Sequence, residues 1–219
     1  MGDKMKKLFL ALLVFITVFL IYFFNINKNI YYVSLGDNLS YGINNLEKIE
    51  INYNSEINKY YNKKICKYVN YSNLNDYRVM DLINDIKYNK TVNYNNKEYK
   101  FQNLLIKSNL LIISIGMNDI KNKENITYDY IDELLSDIED LLVLIRKYNK
   151  DKIYFLSFYN VINNKDLIDY SNQKLNQMCY ENKINYVDIS KLDVYMINST
   201  NPSNDGYKYI SNKLITLLK

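Results

Sequence analysis

The chain has 219 residues, enough for one sizeable domain with a full core. Its 48% hydrophobic and 24% charged residues are those of a globular protein, and 5 Gly with 1 Pro exclude collagen-like or Pro-rich linker segments. Of the net charge of +4, residues 1–28 carry +3 (Lys4, Lys6, Lys7 and Lys28 against Asp3), so the remainder is near +1 and the charge does not argue for nucleic acid.

In chain order, Lys4, Lys6 and Lys7 precede an almost unbroken apolar run from Leu8 to Phe24. At about 1.5 Å per residue the run is just long enough to cross a hydrocarbon core. Lysines before it and few charges after it predict a signal anchor over 1–28, with the N-terminus inside and the domain over 29–219 outside the cytoplasm. A cleaved signal peptide is the rival, but no small-x-small cleavage site follows the run, and there is no lipobox cysteine.

Strand and helix patterns then alternate. Apolar, β-branched and aromatic runs over Ile30–Gly36, Ile65–Tyr71, Leu110–Gly116, Ile153–Phe158 and Ile184–Ile189 predict five strands. Ile131, Leu134, Leu135, Ile138, Leu141, Leu142 and Ile145 recur at three- and four-residue steps and predict a helix buried on one face. Val79–Ile86, Leu167–Met178 and Tyr207–Leu218 also read as helices. Such alternation predicts an α/β domain with a parallel sheet and helices on both faces. The 24 Tyr are spread along the chain and suit packing.

Ligands of such sheets bind beyond the carboxyl ends of the strands. That directs attention to Gly36-Asp37-Asn38-Leu39-Ser40-Tyr41-Gly42 after the first strand and Gly116-Met117-Asn118-Asp119 after the third. The first block resembles the Gly-Asp-Ser-Leu-Thr-x-Gly of the SGNH, or GDSL-type, hydrolases, a family of lipases and esterases. The other matches their Gly-x-Asn-Asp. Near the C-terminus, Asn201-Pro202-Ser203-Asn204-Asp205-Gly206-Tyr207 resembles their His-Pro-Ser-x-x-Gly-Tyr. The resemblance covers roughly residues 30 to 217. It implies a three-layer α/β/α sandwich, flavodoxin-like, with a five-stranded parallel sheet in the order 2-1-3-4-5. It also implies a pocket built from Gly36, Asp37, Asn38, Gly116, Asn118, Asp119 and Asn201.

The departures concern the chemistry. By the resemblance, Asn38 stands at the nucleophilic Ser, Asn198 at the orienting Asp and Asn201 at the basic His, and the chain has no histidine. Asn118, the side-chain oxyanion donor, is retained, whereas Asn70–Asp76 lacks the Gly expected of the second block. A carboxamide is a poor nucleophile with no proton acceptor near neutral pKa, and Ser34, Ser40 or Ser72 would each need an adjacent base. Amides do offer uncharged donors and acceptors to a ligand. The expectation is therefore a degenerate, non-hydrolytic domain that binds an envelope glycan, lipid or protein partner. The alternative is an active esterase or deacylase with a non-standard residue set. No His/Cys cluster suggests a metal, and no Gly-rich phosphate loop or other cofactor motif is present. With that strand order, Cys66 and Cys179 fall at opposite edges of the sheet, too far apart for a disulfide.

Overall fold

The computed structural model describes residues 2–26, 29–44, 47–48, 52–72, 76–121, 123–197 and 201–219. In chain order the elements are α1 (Asp3–Ile26), β1 (Ile30–Gly36), α2 (Asn38–Tyr41), β2 (Ile43–Asn44), β3 (Glu47–Lys48) and α3 (Tyr53–Tyr61). They continue with β4 (Ile65–Ser72), α4 (Val79–Lys87), β5 (Thr91–Tyr94), β6 (Lys97–Lys100), α5 (Phe101–Lys107) and β7 (Leu110–Ser114). The last are α6 (Met117–Lys121), α7 (Tyr128–Tyr148), β8 (Lys152–Leu156), α8 (Lys165–Glu181), β9 (Asn185–Val187) and α9 (Asn204–Leu218).

Five strands form one parallel sheet in the order β4-β1-β7-β8-β9, which is 2-1-3-4-5 among the five expected strands. The central strand β7 is buried throughout, as its unbroken Leu-Leu-Ile-Ile run requires of a strand covered on both faces. Helices α3 and α9 pack together in one layer, and α4, α5, α7 and α8 make up the other. The seven periodic residues of α7 are all buried, each stabilising the fold by about 1.5–3 kcal/mol relative to exposure. Thr127 caps α7 by accepting from the Tyr130 N–H, while Arg146 and Lys147 meet the negative end of its dipole.

Three expectations change. The third strand ends at Ser114, because Gly116 turns away with φ 103°. Short helices α2, α3, α5 and α6 and the hairpins β2–β3 and β5–β6 fill stretches whose polar, Asn-rich sequence shows no long period. The predicted transmembrane helix is not supported as a span. Helix α1 forms where the run predicts it, and its side chains from Leu8 to Leu20 are largely exposed. Yet among the described residues no helix is long and apolar enough to cross a membrane. Cys66, on the edge strand β4, and Cys179, on α8 beside the opposite edge, are both free.

The end of β1 sets the geometry of the turn into α2. Gly36 has φ 153°, and a Cβ built there would lie 1.9 Å from the Ser114 carbonyl oxygen. That contact is with backbone, which cannot rotate away. Gly36→Ala should therefore destabilise the fold by at least about 3 kcal/mol, combining backbone strain with overpacking. Urea denaturation followed by circular dichroism checks this, and an unchanged midpoint would contradict it.

Candidate functional site

The first block leaves the sheet at Gly36. The Asp37 N–H donates to the Ser114 carbonyl at 3.0 Å, which holds the end of β1 against the end of β7. Asp37 then caps α2, with Oδ1 accepting from the Leu39 N–H at 3.2 Å. A buried polar network fastens α2 from beneath. The Ser40 Oγ donates to the Leu35 carbonyl at 3.1 Å and lies 2.6 Å from the Tyr53 hydroxyl. The Asn54 and Asn70 amides both donate to the Ser40 carbonyl, at 2.8 and 3.0 Å. Ser34 joins this network through Ser40 and Tyr53, and Ser72 donates to Asn70. These bonds tie the three serines into the packing around α2 and β4.

The third block starts at Gly116, where a Cβ would come within 2.9 Å of the Phe158 ring. Asn118 is buried and gives one N–H to the Tyr77 carbonyl at 2.9 Å. Asp119 accepts from the Val79 N–H at 3.3 Å, at the start of α4, and its carbonyl accepts from the Tyr130 hydroxyl at 3.0 Å. Both block-three side chains therefore tie this turn to the Tyr77–Val79 segment.

Asp37, Asn38 and Asn118 line one cavity, together with Met117, Lys121, Tyr159 and Val161. Gly36, Gly116 and Asp119 shape its turns from behind and are not part of its wall. Asn201 is buried, its carbonyl accepting from the Ile197 N–H, but it does not line the cavity either. Asn198 lies outside the described residues. In the last block Ser203 caps α9 by accepting from the Gly206 N–H, and Gly206 sits close under Pro202 and Tyr195.

The cavity holds about 10 Å³, barely the room of one water and far below the roughly 300–1,000 Å³ of ordinary ligand pockets. Two of its oxygens, Asp37 Oδ2 and Asn38 Oδ1, are buried without a hydrogen-bond partner. Burial pushes the Asp37 carboxyl up to about 7, against the bond from Leu39 and the field of Lys121. Desolvation likewise raises Asp119 to about 6. A proton on Asp37 relieves the burial of charge and turns an acceptor into a donor.

Lys121, Tyr159 and Val161 were not among the expected site residues. Tyr159 follows the fourth strand, β8, and the rule that ligands sit beyond strand ends applies there as it does after the first and third. Lys121 comes two residues after the Gly-Met-Asn-Asp block, on the single turn of α6.

No protein-family model matches this chain, and no curated protein matches it in sequence. Solved structures do match its shape. The lipase Lip_vut3 from a goat rumen metagenome superposes with TM-score 0.62 at 17% identity, covering 86% of this chain and 97% of its own. The acetyl xylan esterase AlAXEase gives 0.63 at 12% identity, covering 86% and 100%. A protein of Desulfitobacterium hafniense DCB-2 assigned to the G-D-S-L lipolytic family gives 0.60 at 15% identity, covering 86% and 99%. The chain therefore has an SGNH hydrolase-like fold.

The raised Asp37 carboxyl has a measurable sign. Its folded pKa of about 7 lies above the unfolded 3.8, so the folded state binds the extra proton between those values. Stability falls as pH rises through that window, and the full penalty stands above pH 7. Asp37→Asn keeps an oxygen for the Leu39 N–H and carries no charge. It should raise stability by a few kcal/mol at pH 8 and hardly at all near pH 4. Thermal melts of both proteins at the two pH values check this, and an equal gain at both would contradict it.

Proposed function

We propose that this chain is a non-hydrolytic member of the SGNH-like fold, held at a membrane with its domain outside the cytoplasm, and that it binds an envelope glycan, lipid or protein partner. The observation that carries the reading is the wall of the cavity. Where an esterase needs a nucleophile it holds the Asn38 amide, and it has no imidazole base, since the chain lacks histidine. The hydroxyls closest in sequence, Ser34 and Ser40, are buried and bonded into the Tyr53 network. A volume of about 10 Å³ leaves no room for an acyl group.

Support for membrane attachment comes from α1. Its apolar residues Leu8 to Leu20 are exposed and uncovered by the domain, an arrangement that water penalises and a bilayer relieves. The lysines before the run suit the cytoplasmic side.

One observation favours the rival reading, an esterase or deacylase with a non-standard residue set. A carboxyl near pKa 7, Asp37, lines the cavity and lies in the range of a general base. Hydrolysis of p-nitrophenyl acetate by the full chain separates the two. The proposal expects a rate no more than about 10³- to 10⁴-fold above that in water, the residue left when a triad is removed. Turnover at ordinary esterase rates, lost in Asp37→Asn, would establish the rival.

A further inference from the structure

Several basic side chains of the domain line grooves at one end. In a parallel sheet every strand starts at the same edge, and each connecting helix ends there with the negative pole of its dipole. Here that edge holds the starts of β1, β4, β7, β8 and β9. Two grooves open on it. One, of about 640 Å³ between β4 and the β5–β6 hairpin, is lined by Lys67 and Lys97. The other, of about 730 Å³ below the ends of α7 and α8, is lined by Arg146, Lys150, Lys152 and Lys183. Glu98, Asp151 and Glu181 are the acidic residues of the two linings.

None of Lys67, Lys97, Lys107, Lys150, Lys152 and Lys183 enters a salt bridge among the described residues. Lys67 is the best placed of them. Its ammonium lies 4.2 Å from the Tyr99 ring centroid and 4.8 Å from that of Tyr31. Desolvation there, with repulsion from Lys107 and Lys97, lowers its pKa. Like charges gathered in this way, outnumbering the carboxylates of Glu98, Asp151 and Glu181, repel one another, and an anionic surface would offset the cost.

The chain path places this end next to α1. Helix α1 stops at Ile26, and Tyr31 pairs with Lys67 across the sheet. The five residues from Ile26 to Tyr31 reach at most about 17 Å, and one strand spacing adds about 5 Å. The lysines are spread over two grooves and the end of α5 rather than converging on one point, which suits an extended charged surface better than a single phosphate.

We infer that the strand-start end of the domain rests on the anionic headgroups of the bilayer that holds α1, with Lys67, Lys97 and Lys107 at the contact. The inference rests on the proposed membrane attachment. It has a consequence for the cavity of Asp37 and Asn38, which lies beyond the opposite ends of the strands. That cavity then faces away from the bilayer, toward ligands of the cell exterior.

Cys66 allows a direct test, because it is exposed and lines the first groove whereas Cys179 is buried. The full chain, carrying a nitroxide on Cys66, is reconstituted in vesicles of phosphatidylcholine alone or mixed with phosphatidylglycerol. Accessibility of the label to an aqueous nickel chelate should fall at least about twofold in the mixed vesicles, and the fall should vanish in high salt. It should also vanish in the exposed hairpin variant Lys97→Glu and in the triple variant Lys67→Glu, Lys97→Glu, Lys107→Glu, each checked for fold by circular dichroism. A label at Asn204→Cys in a Cys66→Ser chain, at the start of α9, should stay accessible throughout. Equal accessibility of the Cys66 label in both lipids, or protection of both label sites, overturns the inference while leaving attachment intact. Release of the chain from the vesicles by alkaline carbonate overturns attachment, and this inference with it.

Discussion

The bond from the Asp37 N–H to the Ser114 carbonyl forms only because Gly36 has no side chain. The space a Cβ would take is occupied by the very oxygen that accepts the bond. This contact brings the ends of β1 and β7 together and turns the chain sharply into α2. It also sets Asp37 and Asn38 facing Asn118. The network of Ser40, Tyr53 and Asn54 then holds α2 in place from below. Remove the close approach and the cavity has no wall, whatever residues line it.

On the proposed reading, that geometry lets the site persist without hydrolytic chemistry. Gly36 and Gly116 are required by backbone packing, Asp37 by the cap of α2, and Asn118 and Asp119 by their bonds to the Tyr77–Val79 segment. Each is constrained by the fold independently of catalysis. On the proposed reading, the amides at positions 38 and 201 are under no such demand from catalysis. The cost that remains is the buried Asp37 carboxyl, and it grows with pH because folding excludes water from a group that would otherwise ionise.

The five strands and the long helices were legible because each carries a clear period or an unbroken apolar run. Leu110–Ser114 and the seven buried residues of α7 are the plainest cases. The β5–β6 hairpin was not legible. Its turn uses Asn95 and Asn96, both with positive φ, in a chain so rich in asparagine that the signal is lost among the others. At the site, sequence identified Asp37, Asn38 and Asn118 as neighbours, since strand ends and block order specify them. It could not reveal how small the cavity is or that Tyr159 and Lys121 line it. Those facts depend on how side chains from separate strands pack, and no local pattern encodes them. Asn201 was placed in the pocket by resemblance alone; it is buried and is not among the residues that line the cavity.

The central claim is that no side chain at this site is an activated nucleophile. Incubating the full chain with a fluorophosphonate, followed by intact-mass and peptide analysis, tests it directly, because such reagents add covalently to a serine only when a base activates it. The account predicts an unmodified mass. A stoichiometric adduct on any serine, Ser34 and Ser40 above all, would contradict it.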